Sequence, residues 1–312
     1  MRGPETDAVL GEEPWSFGPS KGVVVRTTHY RLFTTMDDPA LRARVPRFME
    51  EALAHYRTAL GDLPAPTVRL DSYLMANRTQ WAAVAQRIMG EQASAVLGIT
   101  RGGFAARGVG VYFDIGLYDT LAVAAHEGWH QYTQRVFREP LPVWLEEGIA
   151  SYMEGHQWVD GAARFAPWAN LERFDQLRKA ASLGKLVSLG DLLEATPQAL
   201  LSGADDRALT YYAQVWALTH FLHDGEDGRY RTSLRRVVRE ASSGMLSRTL
   251  QSELGHRAAA GAMARRNGPG VALAYFSADL SRLESEYRAF VEAIVATGGR
   301  GRAVSGSAGA AR

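Results

Sequence analysis

The chain has 312 residues, 46% of them hydrophobic and 22% charged, with a formal net charge of +1 and no cysteine. That length allows a substantial buried core, and the composition is ordinary for a globular protein. The charge balance gives no basis for nucleic acid or an anionic membrane as partner, and the missing cysteines exclude disulfides, a thiolate metal site and a cysteine nucleophile.

Residues 1–20 hold Gly, Pro and acidic residues without periodicity and are expected to form a mobile N-terminal segment. Met1–Asp7 has no apolar core of signal-peptide type, and no run approaches the roughly eighteen apolar residues of a membrane span. As given, the chain is expected to be soluble and cytoplasmic with no membrane span, export remaining open if the natural start lies upstream. Val23–Phe33 is β-branched and alternating, which predicts a strand. A helix is predicted from Asp38 to about Leu60, with the apolar stripe Leu41, Val45, Phe48, Ala52 and Tyr56 and a stop at Gly61. Thr67–Leu74 reads as a second strand, and Thr79 as the cap of a helix ending at Met89. Ile99–Ile115 is Gly-rich and then strand-like. No Gly-Lys-Ser/Thr follows it and no dinucleotide fingerprint opens a helix, so a turn leading into a strand is the simpler reading than a phosphate loop.

Asp119-Thr120 is predicted to cap a helix that runs to about Phe137 and is closed by Pro140. It carries His126, Glu127 and His130 in the pattern His-Glu-x-x-His. Positions i and i+4 lie one turn apart on the same helix face, so both imidazoles can reach one ion. Glu127 sits one step round the cylinder, where it can address a water. A catalytic zinc takes three protein ligands and keeps a position for water, so a third ligand is required. The predicted helix Pro142–Glu154 offers it in Trp144-Leu-Glu-Glu-Gly-Ile-Ala150, at Glu147. Trp144, Ile149 and Ala150 can pack this helix against the first, and Gly148 with Ala150 permits close approach. Further helices are predicted over 169–182, 189–194, 206–224, 229–243, 245–254 and 276–296, before a disordered tail at 297–312. Strands in the first third followed by helices argue an α+β fold, a single domain over 21–296 with a strand-rich part (21–118) and a helical part (119–296).

His126-Glu-Gly-Trp-His130 followed by Trp144-Leu-Glu-Glu-Gly-Ile-Ala150 resembles the gluzincin zinc metallopeptidases. The nearest likeness is to the small peptidase-MA-like proteases; the catalytic domains of aminopeptidase N and leukotriene-A4 hydrolase are more distant. The resemblance implies a zincin-like arrangement: a small N-terminal sheet with helices, a mainly helical C-terminal subdomain, and the active-site helix between them. It maps the third Zn2+ ligand onto Glu147, with Glu146 on a position often held by Asn. Tyr212-Ala-Gln-Val-Trp-Ala-Leu-Thr-His-Phe-Leu222 looks like the family helix that opens with a transition-state-stabilising Tyr, which implies that role for Tyr212; adjacent Tyr211 is the alternative.

The implied activity is zinc-dependent hydrolysis of peptide bonds in a peptide or protein substrate, with Glu127 as general base toward a metal-activated water. Asp114 and Glu154 are possible partners for the ligand imidazoles. The amine-anchoring Gly-x-Met-Glu-Asn segment of the aminopeptidases is missing upstream of His126, and the strand Gly108–Asp114 could pair with an extended substrate, so an endopeptidase is expected. The alternatives are a zinc-bound scaffold that binds a peptide or partner without turnover, and a hydrolase of a non-peptide substrate. Trp129, Trp144 and Trp216 are expected to be packing residues, and His220 and His223 to lie on a helix surface. His29, His55, His156 and His256 show no pattern.

Overall fold

The computed structural model describes residues 8–99, 102–197, 200, 206–296 and 299–301. The first seven residues of the expected mobile segment, and all but 299–301 of the expected disordered tail, lie outside the described residues. The chain divides into two compact units: residues 1–57, 64–136 and 160–163, and residues 58–63, 137–159 and 164–312.

The first unit is built on a six-stranded mixed sheet. Its strands are β1 (Gly11–Phe17), β2 (Ser20–Arg26), β3 (Tyr30–Thr34), β4 (Leu70–Met75), β5 (Gly103–Ala106) and β6 (Val109–Phe113), in spatial order β1-β2-β3-β4-β6-β5. The β3/β4 and β4/β6 pairs are parallel and the other three antiparallel. The parallel pairs follow from crossovers through α1 (Pro39–Ala59) and α2 (Arg78–Met89). The predicted stripe of α1 is fully buried from Leu41 to Tyr56. The cap of α2 is Asn77 rather than Thr79: its side chain accepts from Gln80 N at 3.0 Å.

Two expectations for this unit are corrected. Residues 11–17, expected to be loose, form β1 and pair with β2 from Gly11 opposite Arg26 to Phe17 opposite Ser20. An edge strand tolerates Pro14, which lacks a donor, and Trp15 joins Phe33 and Tyr73 at ring separations of 5.5 and 6.1 Å. The predicted strand Val23–Phe33 is two strands. The chain reverses at Thr27, whose hydroxyl accepts from Tyr30 N at 3.0 Å. A turn made by Thr-Thr-His carries no Gly or Pro to announce it.

The second unit contains α4 (Val143–Met153), α5 (Leu171–Ser182), α6 (Leu189–Glu194), α7 (Arg207–Asp224), α8 (Arg231–Ser243), α9 (Leu246–Leu254), α10 (His256–Arg265), α11 (Gly270–Tyr275) and α12 (Leu280–Val295). Helix α7 is buried nearly all round, from Ala213 to Leu222, and so serves as the unit's axis. Gly148 of α4 lies directly on it: a β-carbon there would sit 2.7 Å from Val215 O. Between α4 and α5 in the chain comes a short hairpin, β7 (His156–Val159) and β8 (Ala162–Phe165), turning at Asp160 and Gly161 with φ of 51° and 78°. No element was expected between Glu154 and residue 169, although Asp-Gly is the dipeptide that tight hairpins favour. The architecture is α+β, and no helix among the described residues is long and apolar enough to cross a membrane.

Candidate metal centre

Helix α3 (Leu117–Val136) carries the His-Glu-x-x-His residues. It begins two residues before the expected cap; Thr120 Oγ1 instead accepts from Ile115 N at 3.0 Å, and Asp114 Oδ1 from Gly116 N at 2.9 Å. The helix is fastened to its surroundings by partners distant in sequence. Tyr56 donates its hydroxyl to Ala125 O at 2.7 Å, and Gly128 lets that ring approach: a β-carbon at 128 would lie 2.6 Å from the Tyr56 hydroxyl. Gln131 Nε2 donates to Asp71 O at 2.6 Å while its Oε1 accepts from Ser72 Oγ at 3.0 Å, tying the helix to β4. None of these anchors has a local signal in the sequence.

The i, i+4 spacing has the consequence expected of it. His126 Nε2 and His130 Nε2 lie 3.3 Å apart. Two nitrogens bound to one tetrahedral zinc at about 2.0–2.1 Å each would be separated by about 3.3–3.4 Å. Two imine lone pairs this close repel unless a proton or a cation lies between them. One carboxylate oxygen of Glu147 completes a set in which all ligand atoms lie within 4.8 Å of one another. Among the described residues this is the one such group of His, Cys, Asp and Glu, and Glu146 is not part of it. Two neutral imidazoles and one carboxylate form a donor set that zinc accepts with a net charge of +1 left at the site.

Glu127 is 9% exposed, and Gly103 of β5 leaves room for its stem: a β-carbon at 103 would lie 3.1 Å from Glu127 Cγ. The strand expected to pair with substrate is corrected here. β6 is flanked by β4 on one side and β5 on the other, so both its edges are used; β5 is the sheet's terminal strand at this end.

The two candidate tyrosines have different surroundings at the start of α7. Tyr211 is 3% exposed and its hydroxyl has no hydrogen-bond partner among the described residues. Burial raises its phenol pKa, and the Glu147 carboxylate raises it further. Tyr212 is half-buried, and the Arg173 guanidinium lies 5.1 Å from its ring centre. Glu154 accepts from Asn170 Nδ2 at 2.6 Å and from Arg173 Nη2 at 2.9 Å. Sequence reasoning did not single out Arg173.

His220 is not on the helix surface as expected. It is fully buried, its ring centre 3.8 Å from that of Trp168, with Nδ1 3.3 Å from Asp224 Oδ2. His223 Nδ1 lies 2.7 Å from Asp224 Oδ1, and Trp168 Nε1 donates to Oδ2 of the same carboxylate at 2.9 Å. Asp224 holds both rings, of which His220 is buried and His223 is partly exposed. Trp129, Trp144 and Trp216 are packing residues, each no more than 1% exposed.

Residues 120–243 match a family model described as a protein of unknown function, DUF1570. No match to a curated protein is found. The matched stretch contains His126, Glu127, His130, Glu147, Arg173, Tyr211 and Tyr212.

Proposed function

We propose that this chain is a zinc-dependent peptidase of gluzincin type, acting within extended peptide segments. The observation that carries the reading is the convergence of His126, His130 and Glu147 with the two Nε2 atoms already 3.3 Å apart. Zinc held by these three residues would lower the pKa of a bound water and polarise a carbonyl oxygen.

The chain's own residues supply the rest. Glu127, next to His126 on α3, accepts a proton from the attacking water and returns it to the leaving amine. Tyr212 donates its hydroxyl hydrogen toward the oxygen that gains charge as the carbonyl is attacked. β5, the terminal strand, can accept an extended chain alongside Gly103, whose missing side chain lets the strand lie against Glu127; farther along, Ala105 O already accepts from Gln134 Nε2 at 3.0 Å. An extended backbone bound in this way needs no free terminus, which favours cleavage inside a chain.

The Glu127→Gln variant tests the reading. It keeps the size of the side chain and all three metal ligands, so it should bind one zinc per chain while hydrolysis of a mixed peptide library falls by about 10²–10⁴-fold or more. His130→Ala should lose the metal. A Glu127→Gln protein that cleaves peptides like the wild type would falsify the mechanism. Zinc binding with no turnover by the wild type would leave the scaffold reading instead.

A further inference from the structure

Arg173 and Glu154 form an ion pair with side chains only 15% and 7% exposed. The contact is two-pronged: Nε donates to Oε2 at 3.1 Å and Nη2 to Oε1 at 2.9 Å. Asn170 holds both partners. Its Nδ2 donates to Glu154 Oε2 at 2.6 Å, and its Oδ1 caps α5 by accepting from Arg173 N at 3.2 Å. Gln176 Oε1 takes Nη1 at 3.1 Å. A buried pair of this kind contributes little net stability, because removing two charges from water offsets most of their attraction. It does hold a cation in one place.

That place is over Tyr212. The guanidinium carbon lies 5.1 Å from the ring centre, within the range of a cation–π contact. Glu154 directly follows α4 with helical φ and ψ of −64° and −31°. It stands seven residues, two turns, after Glu147, so both carboxylates project from one side of the same rod. One rigid helix therefore carries a metal ligand at one level and, two turns on, the carboxylate that fixes the cation.

We infer that Arg173, clamped by Glu154 and Asn170, is a positioning residue for Tyr212: its guanidinium walls one face of the ring and makes the phenol a stronger donor toward the developing oxyanion. Three of its five N–H groups are bound by Glu154 and Gln176, and the inferred role is exerted through Tyr212. The role rests on the peptidase reading given above.

The test uses zinc-loaded, full-length protein carrying Arg173→Met, Arg173→Lys, Tyr212→Phe and the Met/Phe double change, with zinc content and melting temperature recorded for each. Arg173→Met should lower kcat by about 3- to 30-fold with KM nearly unchanged, and Arg173→Lys by less, since it keeps the charge but loses the fork. In the Tyr212→Phe background the Arg173→Met change should do nothing further to kcat. Additive losses, or an unchanged kcat in Arg173→Met, overturn the inference. Should Arg173→Met fail to fold, Arg173→Lys enters the same cycle. A second readout needs no turnover: the ultraviolet absorbance titration of Tyr212, taken as the difference between each protein and its Tyr212→Phe counterpart, should move to higher pH when the cation is removed. A wild type that cleaves no peptide defeats the peptidase reading and leaves this titration to decide whether Arg173 acts on Tyr212; an unmoved titration refutes that coupling.

Discussion

At the scale of single residues, the two tyrosines that open α7 are separated by burial. Tyr211 holds a hydroxyl in the interior with no partner among the described residues, close enough to Glu147 for that carboxylate to oppose its ionisation. An unpartnered buried hydroxyl is a liability of about 1–3 kcal/mol, so Tyr211→Phe should leave the protein as stable as before or more so, with hydrolysis retained. Tyr212→Phe should keep stability and zinc but lose turnover. Denaturant midpoints and steady-state kinetics on the two variants decide it, and loss of turnover in Tyr211→Phe with retention in Tyr212→Phe would reverse the assignment. The grouping of His126, His130 and Glu147 was legible in the sequence because residues able to hold a metal are few in kind and the helix period dictates the spacing of the two histidines. Arg173 was not, because its meaning depends on Glu154 and Tyr212, neither of them a neighbour in sequence. Nor was the burial of His220, which depends on Asp224 and Trp168 closing round it.

At the scale of elements, α1 was found within about a residue of its ends, predicted from 38 to about 60 and observed as Pro39–Ala59, whereas the last helix, expected from 276, starts at Leu280, and α10 and α11 were not expected. Strands were harder. β1 carries Pro14 and two glutamates and survives because an edge strand needs only one partner. The reversal between β2 and β3 is made by a threonine hydroxyl rather than a Gly or Pro. The Gly at 148 was read as permitting close approach to the His-Glu-x-x-His helix; its close neighbour is α7 instead. A methyl group there would meet Val215 O at 2.7 Å and Thr219 Oγ1 at 2.5 Å. Because one of those atoms is backbone, α4 would have to move off α7, and Gly148→Ala should destabilise the protein by about 1–3 kcal/mol. Gly148 adjoins Glu147, so zinc affinity should fall with it. Urea unfolding and a competitive zinc titration measure the two effects; a Gly148→Ala protein with an unchanged midpoint removes the close-packing argument.

For the whole molecule, the α+β class followed from strands preceding helices, but the response to acid depends on interior groups that no pattern reveals. Burial lowers the His55 pKa to about 4 and also lowers those of His156 and His220, the last against the pull of Asp224. Burial works against the Asp224 carboxylate too, yet bonds from His220 and His223 hold it well below the usual range. For the histidines the unfolded chain takes up protons near pH 6.5 while the folded one cannot, so the unfolded state binds more protons and stability drops as pH falls below that value. The loss continues until the folded pKa is reached, which for His55 closes the window near pH 4. Asp224 adds a loss of the same sign at lower pH, since its stabilisation is present above the unfolded carboxylate pKa and disappears as its depressed folded pKa is approached. From pH 8 to pH 5, His55 alone should contribute about 2 kcal/mol of destabilisation, with His156 and His220 adding to it. The measurement belongs on chelator-treated protein, where protonation of His126 and His130 cannot act by releasing metal. Urea midpoints taken at half-unit steps from pH 8 should be level down to about pH 7 and then decline. His55→Gln should flatten part of that decline, and a midpoint constant down to pH 5 would show that these histidines titrate in the folded protein as they do in the unfolded chain.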